Sequence, residues 1–230
     1  NWILTNIDKS PKISDAKKTQ YKGEAHFLRG LYYFNLVRLF GDVPWIDKQQ
    51  TASDDLQVSR TSKDIVYQHI IDDFSDAASM LPAVYENTTD IGRATKGAAF
   101  GLLAKVYLTL KRYNETLVAI DSVTNLGVYS LNRKYEWNFS DLRENGPESL
   151  FEVQYEKDVT AYSEFDILGQ GGWHHEYMAP LASINIGGPW GNFGWFAVYP
   201  EFVESYEPGD LRKSVSVWCE GDVYQGWSYD

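Results

Sequence analysis

The stretch AHFLRGLYYFNLVRLFGDVPW, residues 25–45, constrains the fold more than any other part of the chain. It is apolar enough to require partners, and it turns sharply at Gly41-Asp42-Val43-Pro44. Its longest unbroken apolar run is only Leu31 to Phe34, because Glu24, His26, Arg29, Asn35 and Arg38 interrupt it. A membrane-spanning helix needs about 20 mostly apolar residues, so a span is excluded. At 100° per residue the polar positions scatter instead of forming one stripe. Such a helix is expected to be buried on most sides by neighbouring helices.

The neighbours follow in order. Residues 62–82, SKDIVYQHIIDDFSDAASMLP, place Tyr67, Ile70, Ile71, Phe74, Ala77 and Ala78 on a 3.6-residue period, with Ser62 as N-cap and Pro82 as stop. TKGAAFGLLAKVYLTL is a third helix capped by Thr95, and its small residues Ala98, Gly101 and Ala104 leave room for a close neighbour. After a break at Arg112-Tyr113, NETLVAIDSVTNLG is a fourth, closed by Gly127 as C′ residue. Helices are therefore expected near 14–40, 62–81, 95–111 and 113–126, packed as two antiparallel pairs. The spacing matches tetratricopeptide helix pairs. Gly30 and Tyr33 fit the first helix of one repeat, and Tyr67, Ile70, Phe74, Ala77 and Pro82 fit its second. Leu103, Ala104 and Tyr107 begin another repeat, which Tyr113, Thr116 and Ile120 continue loosely. Residues 41–61 are an insertion between the first two helices. Trp45, just after the turn, is expected to anchor that loop onto them.

Beyond residue 130 the texture changes, which divides the chain into a helical part, 1–130, and a loop-rich part, 131–230. SLFEVQYE alternates Phe151, Val153 and Tyr155 with Glu152, Gln154 and Glu156, as a half-buried strand does. Residues 166–199 are rich in glycine and aromatics with no sustained helical period. A long irregular segment in a compact protein is functional or disordered, and so many rings argue against disorder. PEFVESYE restarts a short helix with Pro200 at N1, the turn Pro208-Gly209-Asp210 ends it, and SVSVW reads as a strand. The fold class is mainly α: tetratricopeptide-like helix pairs, an irregular aromatic-rich second part and a few short strands.

Charge narrows the function. The net charge of −11 repels a phosphate backbone, and no local basic patch offsets it, so nucleic acid is not an expected partner. The one cysteine, Cys219, rules out an internal disulfide framework and any paired-cysteine metal or redox motif. No nucleophile elbow, zinc-protease, Walker or dinucleotide motif is present. WHHE at 173–176 is a poor metal site, because adjacent His174 and His175 on an extended chain point to opposite faces. No metal, cofactor or catalytic residue is expected. The sequons at Asn87, Asn114 and Asn138 are read as chance, and the chain as a mature or trimmed fragment.

Four motifs occur in a characteristic order: EAHFLRGLYYFNLVRLFGDVPWI, GRATKGAAFGLLAKVYL, ESLFEVQYE and PEFVESYEPGDLR. Together, over roughly residues 20–215, they resemble the SusD/RagB family, the surface glycan-binding lipoproteins of Bacteroidetes-type bacteria. Members are usually about twice this length, so the lipid-anchored N-terminus and further C-terminal residues are expected to lie outside this chain. The resemblance implies tetratricopeptide-like helices and an outer-membrane, surface-exposed location. It also implies a partner, a SusC-like TonB-dependent outer-membrane transporter that receives the captured nutrient, usually an oligosaccharide. Loop 41–61 is a candidate contact with that partner. Its sequence DKQQTASDDLQVSR suits a contact that breaks and reforms, and a solvated connector is the competing reading.

Within the second part, Trp173, Trp190 and Trp195 are candidate ligand residues, since an indole face matches the C–H face of a pyranose ring. Asn185 and Asn192 are candidate partners for sugar hydroxyls, because an amide both donates and accepts. The alternative is that the rings fill a core between loop and helices. Three functions therefore stand beside one another: a non-catalytic glycan-binding component of an importer, a tetratricopeptide scaffold for a protein or peptide, and a glycoside hydrolase.

Overall fold

A computed structural model describes residues 1–54, 56–139, 143–154, 198–217 and 219, and the backbone of 223–224 and 227–228. The chain divides into two compact units, one of Asn1–Asn132 with Asp141–Glu152 and the other of Arg133–Ser140 with Val153–Asp230.

The first unit is helical. A short α1, Trp2–Asn6, runs into a 3-10 turn at Ile7–Lys9 and was not foreseen from the sequence. The four expected helices follow: α2 Asp15–Phe40, α3 Lys63–Met80, α4 Lys96–Thr109 and α5 Tyr113–Thr124. Their starts follow from capping. Ser14 accepts the Lys17 amide at 3.4 Å and Thr95 accepts the Ala98 amide at 3.1 Å, satisfying donors that the first turn leaves open. Gly41 ends α2 with φ +68°, a conformation that costs a side chain but not glycine. α5 stops at Thr124, so Gly127, with φ +68°, lies one residue beyond the expected C′ position.

The α2–α3 seam is large ring against small residue. α2 buries Gly23, Phe27, Gly30, Phe34 and Val37, a three-and-four spacing that lines one face. Phe27 meets Phe74 edge-on at 5.9 Å, and Phe34 meets Tyr67 at 6.4 Å. A Cβ at Gly23 would lie 3.0 Å from Leu81, and one at Gly30 would lie 3.1 Å from the Phe74 ring. Partner numbers fall along α3 as they rise along α2, so the helices are antiparallel. Fully burying each phenylalanine contributes on the order of 2–3 kcal/mol. α4 packs Ala98, Ala99, Leu103, Ala104 and Val106 into the same core. The short link at 110–112, with Lys111 at φ +59°, turns α5 back along α4.

Two expectations give way here. α2 is not buried on most sides: Leu28, Tyr32, Leu36 and Leu39 are 43%, 66%, 40% and 76% exposed. α3 covers one stripe, and among the described residues nothing covers the stripe opposite. Nor do residues 151–154 form a strand. Phe151 packs against Phe27 at 4.9 Å while Glu152 turns back to accept the Asn145 amide. The alternation therefore serves side-chain docking without a ladder.

In the second unit a 3-10 turn, Tyr135–Phe139, brings Tyr135 and Phe139 edge to face at 5.2 Å. The expected short helix is α6, Pro200–Glu204, with proline at its first position. The strand expected at SVSVW is instead largely helix, α7 Lys213–Ser216. Asp210 grips Arg212, and the Ser216 and Val217 amides donate back to Arg212 and Lys213, closing a helical turn. The Arg212 side-chain and backbone hydrogen bonds hold the Asp210 carboxyl at about 2, below the usual range. Val223–Tyr224 (β1) and Trp227–Ser228 (β2) form a two-stranded antiparallel ribbon.

Candidate functional site

The five ligand residues expected from the sequence, Trp173, Trp190, Trp195, Asn185 and Asn192, lie outside the described residues, as do His174 and His175. Two polar constellations stand out in the first unit.

One is a clamp around Asp73, a carboxylate only 2% exposed. It accepts from Arg29 Nε at 2.8 Å and Nη2 at 2.7 Å, a two-pronged pairing, and lies 2.7 Å from His26 Nδ1. Arg29 Nη1 reaches on to the Asn1 side chain at 3.0 Å and to the Asp47 carbonyl at 3.2 Å. Burial works against the charge on Arg29, but Asp73 outweighs it and holds the guanidinium above its ordinary pKa. The Trp45 ring lies 5.1 Å from that guanidinium, stacks on His69 at 4.5 Å and packs on Tyr33 at 4.3 Å. Tyr33 Oη accepts the Ile46 amide at 2.9 Å and donates to the Pro44 carbonyl at 3.3 Å. A bridge between Val43 and Thr61 closes the base of loop 41–61. Trp45 thus anchors the loop onto the helices, as its position after the turn indicated. The clamp itself was missed. Its trace was the placement of His26 and Arg29 three apart on α2, with an aspartate midway along α3. His26 and Arg29 both bond to Asp73, so this is an architectural group that ties α2 to α3.

The other constellation is a cleft of about 250 Å³ formed by residues 83–95, 128–129 and 145–152. On one wall the Tyr85 hydroxyl donates to the Ala94 carbonyl at 2.8 Å and approaches Glu24 at 3.3 Å. Burial, with the Glu24 carboxylate beside it, pushes the Tyr85 phenol well above its ordinary pKa. Arg93 pairs with Glu24 through Nη1 and with Asp90 through Nε, each at 2.8 Å. On the other wall the Ser130 amide donates to the Pro147 carbonyl and the Asn145 amide to Glu152, both at 2.9 Å. At the α4 end, Tyr129 and Thr95 share a 2.8 Å hydroxyl bond. The glycines of α4 make this possible. A Cβ at Gly97 would collide with the Tyr129 ring, and one at Gly101 would lie 2.5 Å from Leu150. Gly101 was legible as a small position, and the neighbour it admits is Leu150.

Among the described residues no group of His, Cys, Asp and Glu is arranged to hold a metal ion, and no helix is long and apolar enough to cross a membrane.

Residues 1–108 match a family model described as SusD-like, starch-binding associating with outer membrane. SusD-like protein P25 of Formosa agariphila is 26% identical over 190 residues, covering 78% of this chain and 36% of its own length. A SusD superfamily protein from Parabacteroides distasonis superposes with a TM-score of 0.77 at 30% identity, over 91% of this chain and 44% of that one. Surface glycan-binding protein A from Bacteroides fluxus superposes with a TM-score of 0.76 at 26% identity, over 93% and 45%. The chain belongs to the SusD/RagB family. It spans about two fifths of the length of the curated relatives it matches.

Proposed function

We propose that this protein binds a carbohydrate at the cell surface, without transforming it, for delivery to a TonB-dependent outer-membrane transporter. The observation that carries the reading is the match of residues 1–108 to a starch-binding, outer-membrane-associated family. A relative named as a surface glycan-binding protein, similar along nearly the whole chain, supports it. The rings of Trp173, Trp190 and Trp195 supply flat apolar faces for sugar rings, and Asn185 and Asn192 supply donors and acceptors for hydroxyls. A lipid anchor holds the protein to the outer membrane. Loop 41–61 reaches the transporter: its base is pinned at Val43, Trp45 and Asp47, while Gln49, Thr51 and Ser53 leave a polar rim.

A second reading, a tetratricopeptide-type scaffold for a protein partner, draws on the exposed stripe Leu28, Tyr32, Leu36 and Leu39. Incubation with mixed insoluble polysaccharides separates the readings. Glycan capture predicts retention with no new reducing ends. A scaffold is not retained, and a hydrolase releases reducing ends. For the loop, shortening it between Asp47 and Ser59 should weaken co-purification with the transporter. Undiminished pull-down and uptake would remove the loop from the interface.

A further inference from the structure

The cleft between 83–95 and 145–152 is separate in sequence from every residue assigned above to ligand capture. We propose that it is a second carbohydrate subsite, one that takes a single neutral sugar unit, so that the helical unit itself holds part of the glycan. The inference rests on the glycan-binding reading and deepens it.

Size is the first argument. A cleft of about 250 Å³ is below the range of pockets for drug-sized ligands but suits one hexose ring. Preorganisation is the second. Both walls are tied by hydrogen bonds that need no ligand: Tyr85 to Ala94 and Arg93 to Glu24 on one side, Ser130 to Pro147 and Asn145 to Glu152 on the other. A cleft fixed in advance loses little entropy on binding, which a weak ligand such as a sugar depends on. The lining is the third. Tyr85, Tyr129 and Phe151 bring aromatic rings to the cleft, and Val84 and Val128 add exposed apolar rim, 61% and 39% accessible. Arg93, Ser149 and Glu152 bring donors and acceptors. Rings with a mixed donor and acceptor set match a polyol, whose ring presents an apolar C–H face and a polar edge. Charge selects within that class. Arg93 is already paired twice, Glu152 is a carboxylate, and the chain carries a net −11, so an anionic sugar is disfavoured and a neutral one is not.

The test uses the full-length protein and ligand-observed saturation-transfer NMR. The probes are maltoheptaose, laminarihexaose and xylohexaose, with the methyl glycosides of their monomers. Ser149→Trp and Val84→Trp each place an indole in the cleft, and Trp190→Ala with Trp195→Ala removes the loop rings. The proposal expects at least one methyl glycoside to be saturated by the wild type. Part of that signal should survive in the loop variant, and plugging the cleft in that same background should reduce what survives at least threefold. Equal saturation with and without the plugs in that background, with melting temperatures preserved, would overturn the cleft while leaving glycan binding intact. Saturation of oligosaccharides but of no methyl glycoside would do the same. No saturation by any probe with any protein would overturn the glycan reading itself. Plugged variants that melt several degrees lower while still saturating the glycoside would show the cleft to be occupied by the protein's own chain, and would overturn the subsite.

Discussion

The α2–α3 seam and the α4–α5 seam come from the same kind of repeat but bury different things. The first interlocks Phe27, Phe34 and Phe74 with Gly23 and Gly30, and it encloses the carboxylate of Asp73 with Arg29 and His26. The second uses alanines on α4, while α5 buries only Thr116 and Ala119 and leaves Tyr113, Leu117 and Ile120 at 60%, 61% and 47% exposure. A seam with a buried charge and full-sized rings has few ways to fit, so it fixes register. A seam of small residues fixes little on its own, but it lets other segments approach. Tyr129 and Leu150 use that space on α4, and the cleft is the result.

The two seams differ most at Asp73. Asp73→Ala leaves the largely buried Arg29 without its partner and should cost roughly 3–5 kcal/mol in urea unfolding, the usual loss when one member of a buried pair is removed. A loss below about 1 kcal/mol would show that the clamp is not what fixes the first seam. Phe74→Ala opens a cavity against Phe27 and Gly30 and should cost about 3–5 kcal/mol, whereas Ile120→Ala on α5 should stay within about 1 kcal/mol. Equal losses would erase the distinction between the seams.

Gly97→Ala probes the small-residue seam itself. Alanine favours a helix over glycine by about 1 kcal/mol, but here its Cβ meets the tip of the Tyr129 ring. The ring is a side-chain end and can swing away, so net stability should change by less than about 1 kcal/mol. The Tyr129–Thr95 bond should nevertheless be lost, which faster hydrogen exchange at 128–130 would report.

The smallest effect lies in the other unit, at Asp210. Its folded pKa is depressed by Arg212, so the stability it lends is present above its ordinary value and fades as pH falls through about 2. The carboxyl carbon of Asp210 should titrate with a midpoint near that value, and a midpoint near 3.8 would dissolve the pairing.

What could be read in advance follows the same division. All four long helices were legible: Ile70, Phe74 and Ala77 repeat at the helical period, and Ser62 and Thr95 sit where caps belong. Periodicity says which residues are apolar but not which elements arrive to cover them. That is why α2 was expected to be buried on most sides, although Leu28, Tyr32 and Leu39 stay exposed. Alternation misled at 151–154 and at SVSVW for a related reason. A strand exists only with a partner, and local bonds from Glu152 and from the Arg212 turn offered the backbone something nearer. The Asp73 clamp and the cleft depend on residues 44 to 69 positions apart, a separation that no short motif encodes.

If Trp190 and Trp195 serve polysaccharide capture as proposed, the helical frame stands without them. Affinity electrophoresis of the full-length protein through polysaccharide gels, paired with thermal melting of Trp190→Ala and Trp195→Ala, tests it most directly. Migration retarded in the wild type should be restored towards the free value in the variants, with melting temperatures within a few degrees of wild type. Unchanged retardation, or a loss of binding matched by an equal loss of stability, would contradict it and place those rings in the core.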